Sequence, residues 1–264
     1  MDRRSRGWLL RAMFAFAAIA ALCLAACGGE GPLDETAPRL WLPMHEGSGD
    51  VVQDHSGYGN DGAISGATWV QLSNGLWVLE FDGDDDRVLI EDDASIRDLF
   101  PFTISLWVWP HSDKLYPHER LFAKGPAGLN QLLFYMGGRS RFVRDFDPTY
   151  AVAHTLEPVR DAETWFHYVA VLDADGLPKL YKNGIELDAG QKRGETTMVS
   201  DAGQTLRLGG LPVDSGDPES FRGRLGDVKY WPRALTAEEI LEEYESTRAT
   251  YPHELASGQT ATEG

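Results

Sequence analysis

The stretch from Thr164 to Asp188, TWFHYVAVLDADGLPKLYKNGIELD, constrains the fold more than any other part of the chain. WFHYVAVL is an aromatic and β-branched run, DADG is a turn, KLY is a short strand, and Asn183-Gly184 is a type I′ turn before IEL returns. An Asn-Gly pair serves this turn because both central residues need φ > 0. Two hairpins in series leave antiparallel sheet as the local solution.

The same texture runs from about Leu40 to Thr247, a length of roughly 200 residues that suffices for one domain with a substantial core. Short apolar runs such as RLWLPM, LWVLEF, FTISLWVW, QLLFYMG and FRGRLGDVKYW are broken by Gly, Asp, Asn and Pro turns. In FTISLWVW, Phe102, Ile104, Leu106 and Val108 fall on one face, the expected core face. Thr103, Ser105, Trp107 and Trp109 fall on the other, expected to be partly exposed. Many strands without a βαβ rhythm predict an all-β, two-sheet antiparallel sandwich. One helix is expected, Thr236 to Tyr244. Thr236 and Glu239 make a T-x-x-E capping box, Leu235 and Ile240 a hydrophobic staple, and Ile240 with Tyr244 an apolar seam.

Four arginines (Arg3, Arg4, Arg6, Arg11) precede an apolar run from Ala12 to Ala26 that ends in Leu24-Ala25-Ala26-Cys27. Basic, apolar and small-residue regions in that order read as an export signal, and the run is short against the roughly 20 residues of a membrane span. Leu-Ala-Ala-Cys resembles the bacterial lipobox. That resemblance implies cleavage after residue 26, lipid on Cys27, and residence at the cell envelope, in the outer membrane of a Gram-negative cell. Residues 27–38 read as a flexible tether, and 248–264 as a frayed, disordered tail.

With Cys23 in the signal and Cys27 at the lipid site, no thiol is left for a disulfide, a zinc cluster or a nucleophile. The chain has 41 acidic and 24 basic residues; removing Asp2 and the four arginines of residues 1–26 leaves 40 and 20, a net of −20. Such a surface disfavours nucleic acid and suits divalent cations, neutral glycans or basic partners.

LWLPMHEGSGDVVQDHSGYGNDGAISGATW, LEFDGDDDRVLI, FTISLWVWP, LFAKG, ETWFHYVAVLDADGLPKLYKNG and FRGRLGDVKYWPRALTAEEILEEY occur in an order that resembles LamG-like domains of the concanavalin A-like lectin/glucanase superfamily. The resemblance covers nearly all of 39–247. It implies a jelly roll of two curved sheets with a groove or loop rim that binds glycans or proteins; it does not imply catalysis. Retaining glycosidases place two carboxyl groups about 5 Å apart, and the superfamily's E-x-D-x-x-E strand motif is missing here. The expectation is therefore a non-enzyme that binds glycan, the alternative being a protein-interaction or structural envelope module.

Oxygen donors concentrate in the turns around Glu46–Asp50, Asp54–Gly62 and Phe81–Asp86, which suits the irregular oxygen coordination of Ca²⁺. The same residue types also form turns unaided. Calcium-bearing relatives couple an N-terminal loop to an Asp in the last strand, a position Asp227 matches. The expected structural calcium ligands are Asp54, Asn60 and Asp227, ahead of Asp82. A sugar groove needs exposed aromatic faces with polar neighbours. Trp107, Trp109, Tyr116, Arg141, Phe142, Arg144 and Tyr150 are the candidates, with a rim loop over 142–163. Against this, Trp41, Trp69, Trp77, Trp107 and Trp165 lie in strand-like runs that core packing explains better than ligand stacking, and His167 is assigned to a packed or half-exposed strand position.

Overall fold

The two hairpins at Thr164–Asp188 form as expected, with Asn183 at φ 52° and Gly184 at φ 80° in the turn. A computed structural model describes residues 34, 36–111, 119–125, 131–136, 139–147, 150–155, 162–192, 197–210 and 220–251, the compact unit beginning at Thr36. Cys27, Tyr116 and residues 252–264 lie outside the described residues, as does the side chain of Tyr150.

The strands, in chain order, are β1 (Leu40–Leu42), β2 (Val51–Val52), β3 (Gly62–Ser65), β4 (Thr68–Gln71), β5 (Trp77–Asp82) and β6 (Arg87–Ile90). Next come β7 (Phe102–Pro110), β8 (Glu119–Lys124), β9 (Gln131–Met136), β10 (Arg139–Asp147), β11 (Tyr150–Thr155) and β12 (Phe166–Leu172). The last are β13 (Pro178–Lys182), β14 (Ile185–Glu186), β15 (Ala189–Lys192), β16 (Thr197–Met198), β17 (Leu206–Leu208) and β18 (Arg222–Trp231). They build two antiparallel sheets. One runs β14-β13-β12-β7-β18-β5-β4, with β1 also on β18; the other runs β15-β11-β10-β9-β8-β17-β6-β3-β2, with β16 on β10. This is a jelly-roll sandwich. The segment expected as a rim loop is instead largely the β10–β11 hairpin, paired from Arg141↔His154 to Asp145↔Tyr150. Phe142, Val143 and Phe146 stand among Arg144, Asp145 and Asp147 without a clean period of two, so alternation does not mark the segment as strand.

Phe102, Ile104, Leu106 and Val108 face the inter-sheet core with Phe122, Phe142, Tyr168 and Tyr230, as the alternation predicts. The opposite face of β7 departs from expectation: every residue of the strand is buried. The helix α1 (Ala237–Thr247) covers it, Thr236 closing the capping box with Glu239 and the staple pair Leu235 and Ile240 packed in one cluster. Helix α1 runs three residues beyond Tyr244. Thr247 remains helical by donating its hydroxyl to the Glu243 carbonyl (2.7 Å), and it accepts the Trp107 indole N–H (3.1 Å). Order also continues past 247: Tyr251, in the segment expected to fray, is 3 % exposed and stacks on Trp107 at 4.5 Å and 18°. One large ring buried against an aromatic wall outweighs the polar composition around it. Gly226 makes room, since a Cβ there would lie 2.5 Å from the Tyr251 hydroxyl.

Candidate functional site

The proposed sugar platform does not exist as drawn. Trp107 and Trp109 are 3 % and 8 % exposed, Trp107 beneath Tyr244 and Tyr251 and Trp109 against His111 and Arg224, both within the cluster that holds Trp165. Phe142 is fully buried in the core. Arg141 is half-buried on the outer face of the other sheet, alternating with Phe142. Trp107 and Arg141 therefore lie on opposite sides of the sandwich and cannot share a ligand. His167 is packed rather than half-exposed: its Nε2 lies 2.8 Å from Ser105 Oγ, and burial, with Lys229 adding, lowers its pKa to about 3.

Arg144 is fully buried too, in an ion cluster that closes one end of the sandwich. Its Nη2 donates to the Val199 carbonyl (2.9 Å) and lies 3.5 Å from Asp201 Oδ2. Lys124 Nζ bonds Asp201 Oδ1 and reaches Asp92 Oδ1 at 3.3 Å, while Asp92 holds Arg97 at 2.5 Å. Asp92 also accepts the Gly203 N–H at 2.6 Å. Each of these charges is spent on the fold.

The expected calcium set fares no better. Asp54 accepts four hydrogen bonds, from the N–H groups of Trp41, Ser56 and Asn60 (each 2.9 Å) and the Ser56 hydroxyl (2.7 Å). Asn60 donates its amide to the Arg39 carbonyl and Ser95 Oγ. Asp227 accepts from Trp41 Nε1 (2.6 Å) and pairs with Lys229 (3.2 Å). These residues organise the loop from within and leave no uncompensated cluster. Asp82 does join one: oxygens of Asp82, Asp85 and Asp86 lie within 4.8 Å of one another. Burial raises the Asp86 pKa, the neighbouring Asp82 and Asp85 adding to it.

The feature missed is a cleft of about 470 Å³ where β1, the loops after β1 and β2, the β18 bulge and the end of α1 meet. Its walls are Trp41, Pro43 and Tyr251; His45, Glu46, His55 and Asp227 supply polar edges with Thr247 and Thr250. Trp41 is half-buried between the buried Leu40 and Leu42, so period-2 alternation already placed it on the face opposite the core. Three contacts fix its ring: the indole bond to Asp227, the edge of His55 at 5.7 Å, and Lys229 Nζ at 5.1 Å from the ring centroid. Asp227 is aimed there by the register shift between Gly226 and Lys229, itself sitting at φ 45°. Bulges and left-handed non-glycine residues recur where a strand re-aims a side chain at a site. Partial desolvation lowers the His45 pKa against the pull of Asp227 and Glu46. A volume within the usual few hundred Å³ of ligand clefts, one fixed aromatic face and convergent polar groups make this the candidate site.

A sequence profile described as the concanavalin A-like lectin/glucanases superfamily matches residues 82–241. Among solved structures, the chain is similar to the binding domain of Paraclostridial Mosquitocidal Protein 1, with TM-score 0.65 and 17 % identity over 80 % of this chain and 52 % of that one. It is similar to the botulinum neurotoxin serotype G binding domain, with TM-score 0.63 and 16 % identity over 81 % and 52 %. It also resembles domain 4 of AbnA, an extracellular arabinanase from Geobacillus stearothermophilus solved with arabinotriose, with TM-score 0.60 and 18 % identity over 79 % and 98 %. The chain thus spans about half the length of the toxin domains it matches.

Proposed function

This chain belongs to the concanavalin A-like lectin/glucanase superfamily, and we propose that it binds a glycan in the Trp41–Asp227–Tyr251 cleft without cleaving it, tethered to the cell envelope by lipid on Cys27. The observation that carries this reading is the half-buried Trp41 ring, fixed by Asp227 and bordered by polar groups. Sugars present an apolar ring face and a hydroxyl edge, which such a wall and rim match. Hydrolysis needs a pair of carboxyl groups free to work. Here Asp227 is held by Trp41 and Lys229, which leaves Glu46 alone. The arabinotriose complex of the AbnA domain supports a sugar ligand on this architecture. Most of the described part of 142–163, the segment a protein-binding reading would use as a projecting loop, is a paired hairpin.

The experiment compares the full chain with its Cys27→Ser form. The wild type should take up lipid label and sediment with membranes; the variant should do neither. The unlipidated protein should retain specific partners on a glycan array, and Trp41→Ala should weaken them about tenfold or more. Unchanged fractionation removes the anchor from the reading, and an empty array removes the glycan.

Calcium enters as a structural ion at Asp82, Asp85 and Asp86, an oxygen-only set that fits a hard cation. Burial is the main cause that raises the Asp86 pKa, and a bound cation would relieve the like-charge repulsion of Asp82 and Asp85 that adds to it. At a hundredfold excess over Kd, it would add about 2.7 kcal/mol. Millimolar Ca²⁺ should raise Tm over EDTA by roughly 5–11 °C, using about 2–4 °C per kcal/mol, and Asp85→Asn should remove most of the rise. Equal melting in both solutions rejects the ion.

A further inference from the structure

Glu46 has one oxygen employed and one idle. Its Oε1 accepts the Gln53 N–H at 2.8 Å, while Oε2 is enclosed with no hydrogen-bond partner among the described residues. The Tyr251 hydroxyl, on the opposite wall, is likewise enclosed and unpartnered. Buried polar groups are normally satisfied, so two idle ones lining a single cleft point to a ligand that completes them. An idle carboxylate oxygen can only accept. Among the described residues no Lys or Arg lines the cleft. The nearest cation, Lys229, is already divided between Asp227 and Glu243.

Resting on the glycan reading, we propose that the cleft selects sugar units bearing a hydroxyl or amino donor and rejects those bearing a carboxylate, with Glu46 as the specificity-determining residue. A neutral or amino sugar donates to Glu46 Oε2 and meets the Tyr251 hydroxyl, completing both groups. A uronic or sialic acid sets a second negative charge beside Glu46, with no Lys or Arg among the described lining residues to answer it. A site whose buried polar groups must be paired discriminates far more strongly than an apolar pocket does.

The test is calorimetric titration of the Cys27→Ser chain at pH 7 and moderate salt. The probes are matched oligosaccharides of a neutral hexose, its 2-amino form and its uronic acid. The first two should bind, and the uronic acid about a hundredfold more weakly. Glu46→Gln keeps the shape and removes the charge, and should bring the uronic acid to within about threefold of the neutral sugar. Tyr251→Phe should weaken the neutral sugar about tenfold with the fold intact, which guards against misfolding of the first variant. Equal affinity for uronic and neutral sugars overturns this inference and leaves glycan binding standing. Failure of all three sugars, with wild-type melting unchanged, overturns both.

Discussion

Asp201→Ala is expected to destabilise the domain by about 3–5 kcal/mol, the usual cost of removing one partner from a buried ion pair. Lys124, Arg144 and Asp201 are all fully buried. Without the Asp201 carboxylate, Lys124 retains Asp92 at 3.3 Å and the main-chain carbonyl of residue 201 at 3.3 Å, and Arg144 retains the Val199 carbonyl. Two buried cations would then lose the carboxylate they share. At about 2–4 °C per kcal/mol the fall in Tm is roughly 6–20 °C. Asp201→Asn, which keeps the shape and one acceptor, should cost less. The cluster also sets an acid limit. Burial works to raise the Asp92 pKa from 3.8, but Arg97, the Gly203 N–H and Lys124 together hold it lower. A depressed folded-state value means this stabilisation is complete above the unfolded value and is lost as pH falls through the folded one. Loosening of this end of the sandwich should therefore begin only below about pH 4. A Tm for Asp201→Ala within 2 °C of wild type, on the scale of a surface change, would show that water reaches these charges.

The sandwich was legible because its signals are local. Asn183-Gly184 demands a I′ turn, FTISLWVW shows its period in eight residues, and T-x-x-E caps a helix within one turn. The site was not legible, because what decides exposure comes from far along the chain. Trp107 lies on the non-core face as its position requires, yet the residues that bury it, Thr247 and Tyr251, follow about 140 residues later. Arg144 looked like a surface cation because Asp201 and Val199, its partners, sit in a different turn. Asp54 looked like a metal ligand because sequence shows its oxygen atoms but not the Trp41, Ser56 and Asn60 N–H groups that already hold them. Trp41 was the recoverable miss. The alternation that sorted β7 also sorts Leu40-Trp41-Leu42, and it was not applied there.

Tyr251→Ala is expected to cost about 3–5 kcal/mol, the range for truncating a buried aromatic ring. The ring is 3 % exposed, stacked on Trp107 and tilted 48° against Trp165 at 4.9 Å. Removing it opens a cavity over Gly226 and wets two indoles at once, because no other described side chain stacks on both of them. The fluorescence of Trp107 and Trp165 should shift to longer wavelength, and sugar binding should vanish with the wall of the cleft. Tyr251→Phe separates packing from chemistry. The hydroxyl has no hydrogen-bond partner among the described residues, so its loss should change stability by less than about 1 kcal/mol while weakening the ligand. A chain ending at Thr247 should lose at least as much as Tyr251→Ala does, because it also removes the Thr250 carbonyl that accepts from Asn74 Nδ2 at 2.9 Å. If Tyr251→Ala melts and fluoresces like wild type, the ring is not seated in solution, and the cleft loses the wall from which its selectivity was argued.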